Sequence, residues 1–152
     1  MSNKQNVRFL DVPIDEWTEM RQSGTGCTAR VIPHGNSMWP LIRSDKDMAE
    51  ITSVYRELKS GDIVVFKRSD GQAVMHRIYR ISGDEIQTLG DNCDKPDAPI
   101  KRTDVIGIAT RIHRGLISFD PNRTAELADK IRLFTKEIRK IRKKLKNGMI
   151  SE

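Results

Sequence analysis

Between Cys27 and Phe119 the apolar positions come in short runs broken by turns, and beyond Asn122 they take up a different rhythm. Cys27–Pro33 alternates and is rich in β-branched residues, which predicts a strand. Asp47–Ile51 reads as a second, short one. Ile63–Phe66 is an unbroken apolar run, as in a buried strand. Ser69-Asp70-Gly71 turns the chain, and Ala73–Tyr79 follows as a strand, so 62–80 reads as a β-hairpin. Glu85–Leu89 and Val105–Ile112 are further strands, with Gly115–Phe119 as an extension. Gly90–Pro99 is dense in Asp, Asn and Pro and reads as a loop.

The two ends differ from this body. Residues 1–12 are polar and read as loose. Asp15 can cap a short helix over Glu16–Gln22, stopped by Ser23, Gly24 and Gly26. Thr124–Asn147 reads as one long helix. Its apolar residues Leu127, Ile131, Phe134, Ile138, Ile141 and Leu145 are spaced alternately four and three apart, a heptad stripe. The expected division is an N-terminal segment 1–26, a mainly β body 27–120 and a basic amphipathic helix 121–152.

A chain of 152 residues favours one domain with an appendage. Aromatic residues are only 5%, so the core must rest on Ile, Val, Leu and Met. The net charge of +6 is uneven: between Arg123 and Lys146, ten Lys or Arg stand against three acidic residues, giving +7, and the rest is near neutral at −1. The basicity therefore belongs to the tail, and with no reader fold beside it, no nucleic acid is expected as a partner. Cys27 and Cys93 form no CxxC pair, which suits a reducing compartment. Three His with no HxxxH spacing argue against a zinc site, and no cofactor or metal is expected. The start of the chain has no apolar core of signal-peptide length, and no run of eighteen apolar residues occurs. A cytoplasmic location follows as the expectation, with peripheral membrane contact left open.

A hydroxyl attacks an amide only when a base removes its proton and donors hold the oxyanion. Gly35-Asn36-Ser37-Met38-Trp39-Pro40 offers a Ser on a tight turn, where Gly35 permits the bend and the Ser37 N–H can point into a site. Alone, Ser37 reads equally as a turn serine. Two further blocks change that weighing. One is Gly61-Asp62-Ile63-Val64-Val65-Phe66 followed by Val74-Met75-His76-Arg77-Ile78. The other is Gly90-Asp91-Asn92, with Asp94 and Asp97 behind it and then Val105-Ile106-Gly107.

Three such blocks in this order resemble signal peptidase I and its relatives in the LexA repressor superfamily, the S24 and S26 peptidases, over about residues 30–110. The resemblance implies a LexA-like or signal-peptidase-like β-ribbon fold, with the short N-terminal and long C-terminal helices added. Some relatives carry a Lys as base; Val74-Met75-His76-Arg77 is similar to the His type found in the endoplasmic reticulum and in sporulating bacteria. It implies Ser37 as nucleophile and His76 as general base. An imidazole suits that work near neutral pH, where a Lys would need its pKa strongly depressed. The acid that orients the imidazole would follow the Gly90 block: Asp97 first, Asp91 and then Asp94 as rivals. The oxyanion hole would use the Ser37 N–H and a second donor near Gly35. Ile32, Met38 and Val74 are candidates to line the substrate pockets. His34 and His113 read as turn and strand histidines, and the two Cys as small fillers.

The implied activity is a serine endopeptidase that removes a signal, leader or propeptide. Relatives in the signal peptidase family are mostly membrane-anchored, and this sequence has no such anchor, so a cytoplasmic leader peptide or preprotein is the expected partner. A repressor-like regulator is the alternative, but no helix-turn-helix pattern precedes the β body, and the chain holds neither the Ala-Gly nor the Cys-Gly bond at which such regulators cut themselves. A binding domain that kept only the fold is the third possibility. The 124–147 helix is left three uses: packing its stripe on the body, pairing with another helix, or lying on an anionic membrane.

Overall fold

The computed structural model describes residues 7–9, 28–54 and 56–148. The expected helix over 16–22 and Cys27 lie outside these residues.

The strands are β1 (Val7–Phe9), β2 (Thr28–Pro33), β3 (Met48–Thr52), β4 (Ile63–Lys67), β5 (Ala73–Ser82), β6 (Glu85–Leu89), β7 (Ile100–Lys101), β8 (Val105–Arg114) and β9 (Ile117–Phe119). They form one nine-stranded sheet in the order β1-β2-β3-β8-β4-β5-β6-β7, with β9 also on β8. Every pairing is antiparallel. The fold is mainly β with one C-terminal helix, α1 (Ala128–Gly148). β8 holds the sheet together, because β3, β4 and β9 all hydrogen-bond to it. Its register shifts opposite Glu50/Ile51 and Val65/Phe66 are bulges that bend the sheet.

β4 explains its unbroken apolar run. Ile63 and Val65 enter one core cluster with Val31, Met38, Ile42 and Met75. Val64 and Phe66 enter a second, with Val74, Ile78, Ile86 and Ile108. Side chains alternate across a strand, so a strand with a core on each face must be apolar at every position.

Two elements differ from the sequence expectation at the strand level. Val7–Phe9 was expected to be loose and instead pairs with β2, Val7 opposite Pro33 and Phe9 opposite Val31. β2 would otherwise present an unpaired edge. Ile100–Lys101 pairs with β6 at the end of the Asp-rich loop.

The C-terminal helix also differs. The chain first forms a 3-10 helix over Pro121–Leu127, capped by Asp120, whose carboxylate accepts from the Asn122 N–H at 2.9 Å. Asn122 ties this segment to the sheet, accepting from Ile63 N–H at 2.9 Å and donating to Ala109 O at 2.8 Å. The α-helix begins only at Ala128. The residues it turns to the body are Ala128 and Thr135, both buried. The heptad stripe divides: Leu127, Phe134, Ile141 and Leu145 are exposed, while Ile131 and Ile138 are half-buried. The neighbouring surface is the polar 91–94 loop, whose carbonyls and carboxylates select Thr135 and Arg139 as partners.

Asp47, read from sequence as the start of a strand, is instead the hub of an ion cluster. Its carboxylate is fully buried between Arg43 and Arg114, and it also accepts the Arg43 backbone N–H at 2.8 Å. It locks the turn that follows β2 onto β8.

Candidate active site

The turn after β2 carries Ser37. Gly35 sits at φ +88°, a conformation that suits glycine. Trp39 N–H donates to Asn36 O at 3.1 Å, Ile42 N–H to Met38 O at 2.9 Å, and Asp45 N–H to Pro33 O at 2.9 Å, so the loop closes on itself. Met38 and Ile42 are buried in the core and anchor it. The Ser37 side chain, 3% exposed as a residue, is thereby held on a rigid support.

β5 brings His76 to it. His76 pairs with Val64 across the β4–β5 hairpin and shares a strand face with Val74 and Ile78. The Phe66 ring meets its ring edge-on, with centroids 6.2 Å apart. His76 Nε2 lies 2.9 Å from Ser37 Oγ. On the other side, His76 Nδ1 lies 2.5 Å from Asp97 Oδ2. A carboxylate can only accept, so Nδ1 carries the proton and Nε2 is free to accept from the hydroxyl.

Asp97 is placed by β6. Its backbone N–H donates to Thr88 O at 2.8 Å, Gln87 Nε2 donates to its carbonyl at 3.2 Å, and Thr88 Oγ1 donates to Oδ2 at 2.7 Å. Arg68 reaches Oδ1 at 3.3 Å. Burial pushes this carboxyl up, but the hydrogen bond and charge of His76, the Thr88 hydroxyl and the Arg68 charge outweigh it and hold the group below the usual range.

The rival acids are engaged elsewhere. Asp91 is fully buried and takes both its oxygens to Arg77, each at 2.8 Å. Arg77, itself 2% exposed, continues to Gly61 O and Thr124 Oγ1. This buried pair needs those extra hydrogen bonds to offset desolvation. Asp91 therefore fixes the strand next to His76 rather than touching the imidazole. Asp94 pairs with Arg139 at 2.7 Å.

Three other expectations change. Gly35 N–H donates to Ser44 Oγ at 2.9 Å and is not free to serve as an oxyanion donor. Ser37 N–H has no acceptor among the described residues. Met38 and Val74 are fully buried in the two cores, so they support the site from beneath and line no open pocket. Ile32 is half-buried on β2. His34 pairs with Asp45 in the turn, and His113 with Glu50 at 2.7 Å.

Two residues without an assigned role in the sequence reading prove central. Gly90 leaves room that nothing larger could share, because a Cβ there would lie 2.7 Å from both Ser37 O and Cys93 Sγ. Asn92 bonds the Ser37 turn twice, from its N–H to Ser37 O at 2.8 Å and from Nδ2 to Asn36 O at 2.9 Å. Both stand in the Gly90-Asp91-Asn92 block, so the signal was present, but not its meaning. Cys93 lies at this edge too, its thiol pushed up by burial and by the nearby Asp97 charge.

A cleft of about 540 Å³ opens beyond Asp97, lined by Phe66, Arg68, Pro99, Ile100 and Asp104 among others. Among the described residues no group of three or more His, Cys, Asp or Glu is placed to hold a metal. No helix among them is long and apolar enough to cross a membrane. Chemically, the arrangement can pass a proton from a buried hydroxyl to an imidazole backed by a carboxylate.

Comparison with known proteins adds one result. The model of the Peptidase S24-like family matches residues 10–110, the stretch that contains the Ser37 turn, the β4–β5 hairpin and the Asp97 loop. No curated protein and no solved structure matches the chain. With about two thirds of its length matched by that model, and a mainly β fold that agrees with it, this chain belongs to the Peptidase S24-like family.

Proposed function

We infer that the protein is a serine endopeptidase of the Ser-His-Asp kind, cleaving a signal, leader or propeptide through an acyl-enzyme. The observation that carries this reading is the continuous chain Ser37 Oγ, His76 Nε2, His76 Nδ1, Asp97 Oδ2, with separations of 2.9 and 2.5 Å. Those are the contacts a nucleophile, a base and its orienting acid require.

In this reading His76 Nε2 takes the Ser37 proton as Oγ attacks the scissile carbonyl. Asp97 stabilises the resulting imidazolium without itself becoming protonated. The Ser37 N–H, which has no other acceptor among the described residues, receives the oxyanion. The imidazolium then gives its proton to the leaving amine. A water activated by the same His76 hydrolyses the ester and restores Ser37. The His-type resemblance to signal peptidases supports a leader or propeptide as the substrate class.

The test is peptide cleavage. Full-length protein is incubated with a mixed-sequence peptide library, and products are read by mass spectrometry. The reading requires cleavage by the wild type and its loss in Ser37→Ala. Equal behaviour of the two proteins on every peptide refutes it and leaves a regulator or binding domain of the same fold.

A further inference from the structure

We propose that Arg139 is a positioning residue of this site: from α1, beyond the family-matched segment, it sets Asn92 so that the Ser37 N–H points at the oxyanion. The inference rests on the endopeptidase reading and extends it to a part of the chain that the family model does not cover.

The Asn36–Ser37 peptide is held from one side. Its carbonyl accepts from Asn92 Nδ2 at 2.9 Å and from Trp39 N–H at 3.1 Å. In a trans peptide the C=O and the following N–H point in opposite directions. Fixing the Asn36 carbonyl therefore fixes the Ser37 N–H, which points the other way and has no acceptor among the described residues. The Asn92 N–H pins the next carbonyl, that of Ser37, at 2.8 Å. Asn92 thus controls both peptides that flank the nucleophile.

An Asn side chain can present either its NH₂ or its oxygen to a neighbour, and only the NH₂ suits the Asn36 carbonyl. Arg139 decides which. Its Nη1 donates to the Asn92 backbone carbonyl and, at 3.1 Å, to Oδ1. Guanidinium is a donor only, so it holds the oxygen of the amide and turns the NH₂ to Asn36. With Arg139 removed, the flipped amide would set Oδ1 against the Asn36 oxygen, or leave the carbonyl to Trp39 alone.

Arg139 is itself fixed. Its Nη2 pairs with Asp94 at 2.7 Å. Four residues earlier on the same helix face, Thr135 is buried; its hydroxyl donates to Arg132 O at 2.9 Å and packs 3.4 Å from Asp91 O. α1 is therefore seated on the loop that carries Asp91, Asn92 and Asp97 through polar contacts, with Ile138 of its apolar stripe half-buried beside them. Its polar face, facing Asn92, is the part that serves the site.

The experiment uses the full chain and the library peptide that the wild type cleaves fastest. Variants are Arg139→Met, Arg139→Lys, Asn92→Asp and, as a control on the same helix, Lys140→Met. Losing one oxyanion donor outright costs ~10²–10³ in kcat, so a misdirected donor should cost about ten- to hundredfold, with KM within about twofold. Arg139→Met and Asn92→Asp should show this split with thermal midpoints near the wild type. Arg139→Lys should recover part of the loss, and Lys140→Met should cleave normally. Wild-type kcat in Arg139→Met overturns the proposal. So does a loss that tracks a fall in thermal midpoint, or one carried by KM. If the wild type cleaves no better than Ser37→Ala, the endopeptidase reading itself fails and this inference falls with it. Normal cleavage by wild type and by Arg139→Met together would reject only the positioning role.

Discussion

Gly90 comes so close to His76 that a methyl group at this position would lie 3.2 Å from the imidazole Nε2. The same methyl would sit 2.7 Å from the Ser37 carbonyl oxygen, which is backbone and cannot swing away. Gly90→Ala should therefore push the loop from the Ser37 turn and stretch the Ser37–His76 contact. The expected result is loss of at least ~10²-fold in kcat, since small displacements of reacting groups cost that much. A Gly90→Ala enzyme with wild-type turnover would show that the close approach is immaterial. Gly83, at φ +60° and with nothing within 4 Å of its Cβ position, is the control: Ala there meets backbone strain but no neighbouring atom.

Asp97→Asn keeps the shape of the side chain but can offer an NH₂ where the oxygen stood. His76 would then lose the acceptor that fixes its tautomer. A fall of about 10⁴ in kcat is expected, as for an orienting acid in the same role. The native carboxyl is held below the ordinary range, so its contribution is complete above about pH 4 and is lost only as pH falls through the depressed value. Any acid limb of the activity profile above about pH 4 should therefore survive unchanged in shape when Thr88→Val weakens the Asp97 cradle. A limb displaced upward in that variant would assign it to Asp97 instead.

Asp47 gives a stability prediction with a definite sign. Burial raises its pKa, but hydrogen bonds from Arg114 and Arg43 and the Arg114 charge bring it from 3.8 to about 2. A depressed carboxyl stabilises the fold above its unfolded value and loses that effect as pH falls from there through the folded value. The contribution at pH 7 is about 2 kcal/mol. Asp47→Asn should lower unfolding free energy by roughly that amount at neutral pH and by little near pH 2. Urea titrations at the two pH values measure it, and an equal loss at both would contradict the linkage.

The two faces of α1 should respond differently to a charge. Ile141 is 56% exposed and Thr135 is 1% exposed. Ile141→Asp should change stability by less than ~0.5 kcal/mol. Thr135→Asp, which places a carboxylate against the Asp91 backbone carbonyl, should cost about 2–3 kcal/mol. Denaturant unfolding compares them. The reverse order would mean that the stripe, not the polar face, seats the helix.

Much of this architecture was legible because period and punctuation coincide. Ile63–Phe66 and Ala73–Tyr79, joined by Ser69-Asp70-Gly71, could hardly pair in any other way, and β4 and β5 follow that plan. Ser37, His76 and Asp97 were named on residue order and resemblance, and the fold brings those three side chains together. The stripe on α1 left its use open, because heptad spacing reports an apolar seam but not what faces it. The hydrogen bonds of Arg139 to Asn92 and Asp94 in the 91–94 loop are likewise invisible to an apolar pattern. Asp47 and Arg77 were unreadable for a related reason. A buried ion pair joins residues distant in sequence, Asp47 with Arg114 and Arg77 with Asp91, and although Arg43 stands at i,i+4 spacing from Asp47, no local pattern encodes the distant partner. Gly35 kept its turn role but lost its donor role, since the Ser44 hydroxyl that takes its N–H lies nine residues on.

The central claim is that Ser37 and His76 act as one unit on a peptide bond, and a double-mutant cycle on cleavage rate tests it most directly. Groups that work together show losses that do not add. The account predicts that Ser37→Ala, His76→Ala and the double variant all fall to the same residual rate on one peptide. Losses that multiply in the double variant, or a Ser37→Ala protein that still cleaves at the wild-type rate, would contradict it.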